Sequence, residues 1–62
     1  MILNTKLKNK RKEKGIIQTE LANKANVSLR AYQYYESGKR VPPYATMKLI
    51  AKALNSTVEE LF

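Results

Sequence analysis

The stretch from Gln18 to Glu36 constrains this chain more than any other part of it. Leu21 and Ala25 are four residues apart and share one face of a helix. Tyr32 and Tyr35, three apart, share a face of a second helix. Val27 falls between the two, where it can plug the angle, and Ala22 is small enough for a close approach. Asn26 tolerates the left-handed backbone that ends a helix sharply. Ser28 then offers a hydroxyl to cap the next helix. Two short helices joined by a tight turn follow, the arrangement in which a second helix can enter the DNA major groove.

The rest of the chain predicts an all-α fold of five helices without strands. Residues 1–62 form one small domain near the lower size limit for unaided folding. The first helix runs from Asn4 or Thr5 to Lys14 and stops at Gly15, with Leu3, Leu7 and Arg11 on its inner stripe. Helix two spans Gln18 to Ala25, and helix three Leu29 to Ser37, closed by Gly38. Two prolines make the segment from Lys39 to Pro43 a loop, and Pro43 can start helix four. That helix carries Tyr44, Met47, Ile50, Ala51 and Leu54 at three-four spacing and ends at Asn55. Thr57 and Glu60 form a capping box for a last helix ending at Leu61 and Phe62.

Chemistry-bearing residues are scarce. The chain has no cysteine and no histidine, which removes thiolates and the commonest metal ligand and general base. Glu59 and Glu60 sit in the first turn of the last helix, where acids favour the dipole without a catalytic role. An enzyme, a metal and a cofactor are therefore not expected. No apolar run approaches a membrane span, and Met1-Ile2-Leu3 is too short for a signal-peptide core, so a cytoplasmic protein is expected. Twelve basic residues against five acidic ones give +7, and the whole excess falls within residues 1–40. That field suits a polyanionic partner, although a lysine-rich solvated face alone would look similar.

Ordered along the chain, these residues resemble the Cro- and lambda-repressor-like helix-turn-helix family, also called xenobiotic-response-element type. The match runs through Leu7-x-x-x-Arg11, Gly15, Gln18-x-x-Leu21-Ala22 and Val27-Ser28. It continues with Tyr32-x-x-Tyr35-Glu36-x-Gly38-Lys39-Arg40, Pro42 and Leu49-Ile50-Ala51-Lys52-Ala53-Leu54. Two positions depart from the pattern: Ile17 stands where a Thr or Ser cap is common, and Asn26 where Gly is frequent. The resemblance implies a compact five-helix bundle binding operator DNA, usually as a symmetric dimer. It also implies an ion pair between Arg11 and Glu36, against the plainer reading of Arg11 pointing to solvent or DNA.

With Tyr32 and Tyr35 turned inward, Leu29, Arg30, Gln33 and Tyr34 form one outward stripe, the candidate base readers. Arg30 suits a bidentate contact to guanine, Gln33 an adenine and Leu29 a thymine methyl. Tyr34 can reach a base or phosphate, or simply pack across the helix surface. Gln18, Ser28, Lys39 and Arg40 border the stripe as candidate phosphate contacts. Lys6, Lys8, Lys10, Lys12 and Lys14 scatter around the first helix, so only one or two are expected near DNA. Val58 and Phe62, with Leu49 as a further candidate, remain for a homodimer on a palindromic operator, while Leu61 belongs to the core. The function expected is a transcriptional regulator of the small phage or mobile-element repressor type. An antitoxin-type interaction module is the alternative, disfavoured because helix five is expected to end the chain. A general basic nucleic-acid binder is a third reading.

Overall fold

A computed structural model describes residues 4–62. The expectation for Leu3 therefore lies outside the described residues. Five helices follow in order: α1 (Thr5–Glu13), α2 (Gln18–Lys24), α3 (Leu29–Ser37), α4 (Tyr44–Ala53) and α5 (Val58–Leu61). No strand occurs among the described residues.

The ends of the first four helices share one device. Gly15, Asn26, Gly38 and Asn55 all take positive φ, at 71°, 59°, 80° and 53°. The residue after each turns its amide back to a carbonyl five residues earlier: Ile16 to Arg11, Val27 to Ala22, Lys39 to Tyr34 and Ser56 to Ala51, at 3.2, 3.0, 2.9 and 2.8 Å. This is the Schellman closure, which satisfies carbonyls that a helix end leaves orphaned. Asn serves in place of Gly at two of the four ends, because its short polar side chain tolerates that backbone. The closures stop α1, α2 and α4 one or two residues before the predicted ends.

Starts are more varied. Asn4, Ser28 and Thr57 cap α1, α3 and α5, their side-chain oxygens accepting from the amides of Leu7, Ala31 and Glu60. The capping box at α5 is half made, since the Glu60 carboxylate accepts from Ser56 Oγ. Pro43 does not start α4 but precedes it. Its φ of −57° is helical, yet its ψ of 154° is extended, and its carbonyl accepts from Met47. A proline ring fixes φ and leaves ψ open.

The core collects Leu7 from α1, Leu21 and Ala22 from α2, and Tyr32 from α3. Ile50 and Ala51 from α4, Leu61 from α5, and Ala25 and Leu54 at helix ends complete it. Each large aliphatic side chain so buried contributes about 1.5–3 kcal/mol. Ile16, Val27, Tyr35, Ala53 and Val58 pack around this centre, half-buried. Tyr44 does not join it and stays 63% exposed, with Lys48 Nζ 5.2 Å from its ring centroid. The buried part of the α4 stripe is Ile50 and Ala51, with Leu54 following. Helix α2 packs on α3 and α4, while α1 rests on α3 and α5. The outer face of α3 is thereby left to solvent.

Candidate nucleic-acid interface

Helix α3 presents two faces of opposite character. Inward, Tyr32 and Glu36 are one turn apart and buried. Outward, Leu29, Arg30 and Gln33 are exposed and Tyr34 is half-buried. Leu29 leaves 39% of its surface to water.

The inner face is fastened by charge. Arg11 Nε donates to Glu36 Oε2 at 2.9 Å, Nη2 to Oε1 at 3.0 Å, and Nη1 to the carbonyl of Ile16 at 2.9 Å. The guanidinium thus grips the carboxylate with two parallel bonds, and its remaining edge closes the α1–α2 turn. Gln18 Nε2 adds a donor to Glu36 Oε1 at 3.3 Å. Burial, the largest single influence on Glu36, pushes its pKa up. The hydrogen bonds from Arg11 and Gln18, the Arg11 charge and the nearby Tyr32 hydroxyl more than reverse this, leaving it below the usual carboxylate value. Arg11 is raised, first by its hydrogen bond to Glu36. The Tyr32 hydroxyl is buried without a partner of good geometry. Burial first, and the Glu36 carboxylate second, hold its pKa far above the ordinary 10.0.

This network reaches the outer face. Gln33 Nε2 donates to Gln18 Oε1 at 3.3 Å. Gln33, exposed on the outward stripe, is thereby tied through Gln18 to the Arg11–Glu36 pair. Gln18 stands at the first position of α2, which Ile17 precedes without a side-chain cap. Ser28 Oγ accepts from Ala31 at 3.1 Å and remains open to solvent. Lys39 and Arg40 follow Gly38 at the far end of α3, and both amides donate to the Tyr34 carbonyl, at 2.9 and 3.3 Å. Their cationic ends each lie 5.3 Å from the Tyr34 ring centroid.

Around a helix face open to solvent, the structure brings together Leu29, Arg30, Gln33, Tyr34, Gln18, Ser28, Lys39 and Arg40, spread over α2, α3 and the following loop. A helix-turn-helix family model matches residues 7–61, nearly the whole chain. This chain belongs to the Cro- and lambda-repressor-like helix-turn-helix family. Its similarity to individual members is moderate and nearly end to end. Over 61 residues it is 34% identical to the cryptic phage CTXphi transcriptional repressor RstR of Vibrio cholerae, covering 98% of this chain and 54% of that protein. It is 38% identical to the HTH-type transcriptional activator BcrR of Enterococcus faecalis, over 98% of this chain and 30% of that one. The chain thus spans about half the length of the first and under a third of the second. No solved structure matches it.

Phe62, at the end of α5, is 37% exposed, and Leu49 on α4 is exposed as well. Val58 is half-buried against the core. Four features of the site were not anticipated from sequence. They are the third Arg11 bond to Ile16, the proximity of Tyr32 to the pair, the glutamine relay, and the grouping of Lys39 and Arg40 over Tyr34. Only the last carries a local signal, in that Tyr34, Lys39 and Arg40 flank a helix-ending glycine that folds the chain back.

Proposed function

We propose that this chain is the sequence-specific, double-stranded-DNA-binding part of a transcriptional regulator of the phage-repressor type. The observation that carries the reading is the solvent-facing stripe of α3, bordered by cations, in a chain of this family. Arg30 and Gln33 have the donor geometry to read guanine and adenine edges, and Leu29 can meet a thymine methyl. Tyr34 closes the stripe at the end nearest Lys39 and Arg40. Gln18, Ser28, Lys39 and Arg40 hold the flanking phosphates. The clustering of positive charge in residues 1–40 adds long-range attraction. Among the described residues no helix is long and apolar enough to cross a membrane. The proposal places the protein in the cytoplasm with its DNA. It acts as a homodimer through Phe62 and Val58, on a palindrome that matches its two-fold symmetry. Blocking a promoter by occupancy is the simplest regulatory act available to such a dimer.

Selection of bound duplexes from a random library at near-physiological salt tests this. The expected outcome is a palindrome with half-sites about ten base pairs apart. Recovery of no motif would sink the reading. On the selected site, Arg30→Ala costs about 1–3 kcal/mol and relaxes one base position. Lys39→Ala instead weakens all duplexes alike and lowers the salt slope by about one.

A further inference from the structure

We propose that Tyr34 is a positioning residue, whose ring holds Lys39 and Arg40 in place for the DNA backbone, and that it does not read a base. The inference rests on the DNA-binding reading and assigns Tyr34 a role within it.

Three observations converge. Lys39 Nζ and Arg40 Cζ lie at the same 5.3 Å from the Tyr34 ring centroid, within the range at which a cation is drawn to an aromatic face. The backbone amides of both residues donate to the carbonyl of Tyr34 itself, so one residue gathers both chains at two levels. The side chain of Tyr34 is half-buried, whereas its stripe neighbours Arg30 and Gln33 are exposed.

The chemistry explains why an aromatic suits this place better than an acid. Lysine and arginine side chains lose considerable rotamer freedom when a phosphate immobilises them. A neighbouring carboxylate would order them in advance but would cancel the charge the phosphate needs. Among the described residues neither Lys39 nor Arg40 is paired with a carboxylate. The tyrosine ring attracts both cations through its quadrupole and leaves their full charge available. Two like charges would otherwise drift apart in solvent. Tyr34 supplies the face that keeps them together, at the border where the reading stripe gives way to the phosphate contacts.

The test compares Tyr34→Leu and Tyr34→Phe with the wild type, on the preferred duplex and on unrelated duplexes. It is repeated in a background carrying Lys39→Ala and Arg40→Ala, and thermal melting is followed for every variant. Tyr34→Phe keeps the ring and is expected to bind like wild type. Tyr34→Leu keeps an apolar side chain and loses the ring. It is expected to weaken all duplexes alike, by about three- to tenfold, with the selected motif unchanged. In the doubly substituted background the same change has no further effect. A Tyr34→Leu protein that changes its preference at one base pair, or that loses affinity equally in both backgrounds, overturns the proposal in favour of base reading. A loss of affinity that follows a lowered melting temperature overturns it in favour of a role in folding alone. A wild-type protein without preference for any duplex removes the DNA reading, and this proposal with it.

Discussion

Helix α4 brings Ile50 and Ala51 into the core and is followed there by Leu54, whereas among the described residues α1 buries Leu7 alone. What α1 lacks in apolar surface it makes up in polar anchors, each reaching a different neighbour. Asn4 caps the helix by accepting from the Leu7 amide, ties the end of α5 by donating Nδ2 to the Leu61 carbonyl at 2.9 Å, and donates its backbone amide to the Glu36 carbonyl at 3.1 Å. Arg11, at the other end, grips Glu36. A hydrophobic contact tolerates sliding, while a two-pronged ion pair and a capping amide do not. The lysine-rich helix is thus held in one register against α3, and that register also positions Gln18 and Gln33 on the proposed DNA face.

The difference can be broken most forcefully at Glu36. Glu36→Gln leaves the half-buried Arg11 without its counter-charge and should cost up to about 3–5 kcal/mol, a large part of the total for so short a chain. Urea unfolding would measure it, and a cost under 1 kcal/mol would show α1 to be held by other means. Ile50→Ala should cost about 2–5 kcal/mol through the cavity it leaves. Unlike the Glu36 change, it should leave the pH dependence of stability intact.

That dependence has two limbs. Glu36 has a folded pKa below the ordinary 4.5. Its contribution is therefore complete above that value and is lost as pH falls through the depressed one. Tyr32 has a folded value above the ordinary 10.0, so its contribution is present below that and fades as pH rises past it. Denaturant midpoints across pH should fall on both sides in the wild type and in Ile50→Ala. In Glu36→Gln the acid limb should flatten, and an unchanged limb there would assign acid sensitivity to other carboxylates.

Smaller effects sharpen the picture. Asn4→Ala removes a cap and the tie to α5, for a cost of about 0.5–2 kcal/mol, and faster amide exchange should appear in α1 before α4. Ile17→Thr supplies the missing cap of α2 and should add about 0.5–1 kcal/mol. No gain in midpoint would mean that the tie from Gln18 to Glu36 already fixes that helix start.

Local rules carried most of the fold. Ser28 and Gly38 bracket α3 as a cap and a left-handed stop, and its bounds are as read from the sequence. Asn26 and Asn55 mark turns for the same reason. The rules failed where a residue satisfies two local descriptions at once. Pro43 has the φ of a first helical residue and the ψ of an extended one, and only the packing of α4 selects between them. Tyr44 fits the helical spacing, yet it stays 63% exposed outside the core.

The five helices, their stops to within two residues and the two faces of α3 are legible along the chain, because caps, left-handed residues and apolar periodicity act over a few residues. The sequence by itself also determined the excess of charge and its confinement to residues 1–40. The family resemblance named Arg11 and Glu36 as partners, but the geometry of the polar contacts comes from the packed helices. Arg11 and Glu36 are 25 positions apart, and the geometry of their contact depends on how α1 crosses α3. The relay from Glu36 through Gln18 to Gln33, and the seating of Lys39 and Arg40 over Tyr34, depend on side-chain directions to within an ångström. Periodicity assigns a residue to a face, but hydrogen bonds and cation–aromatic contacts are settled by distances that only the packed helices set.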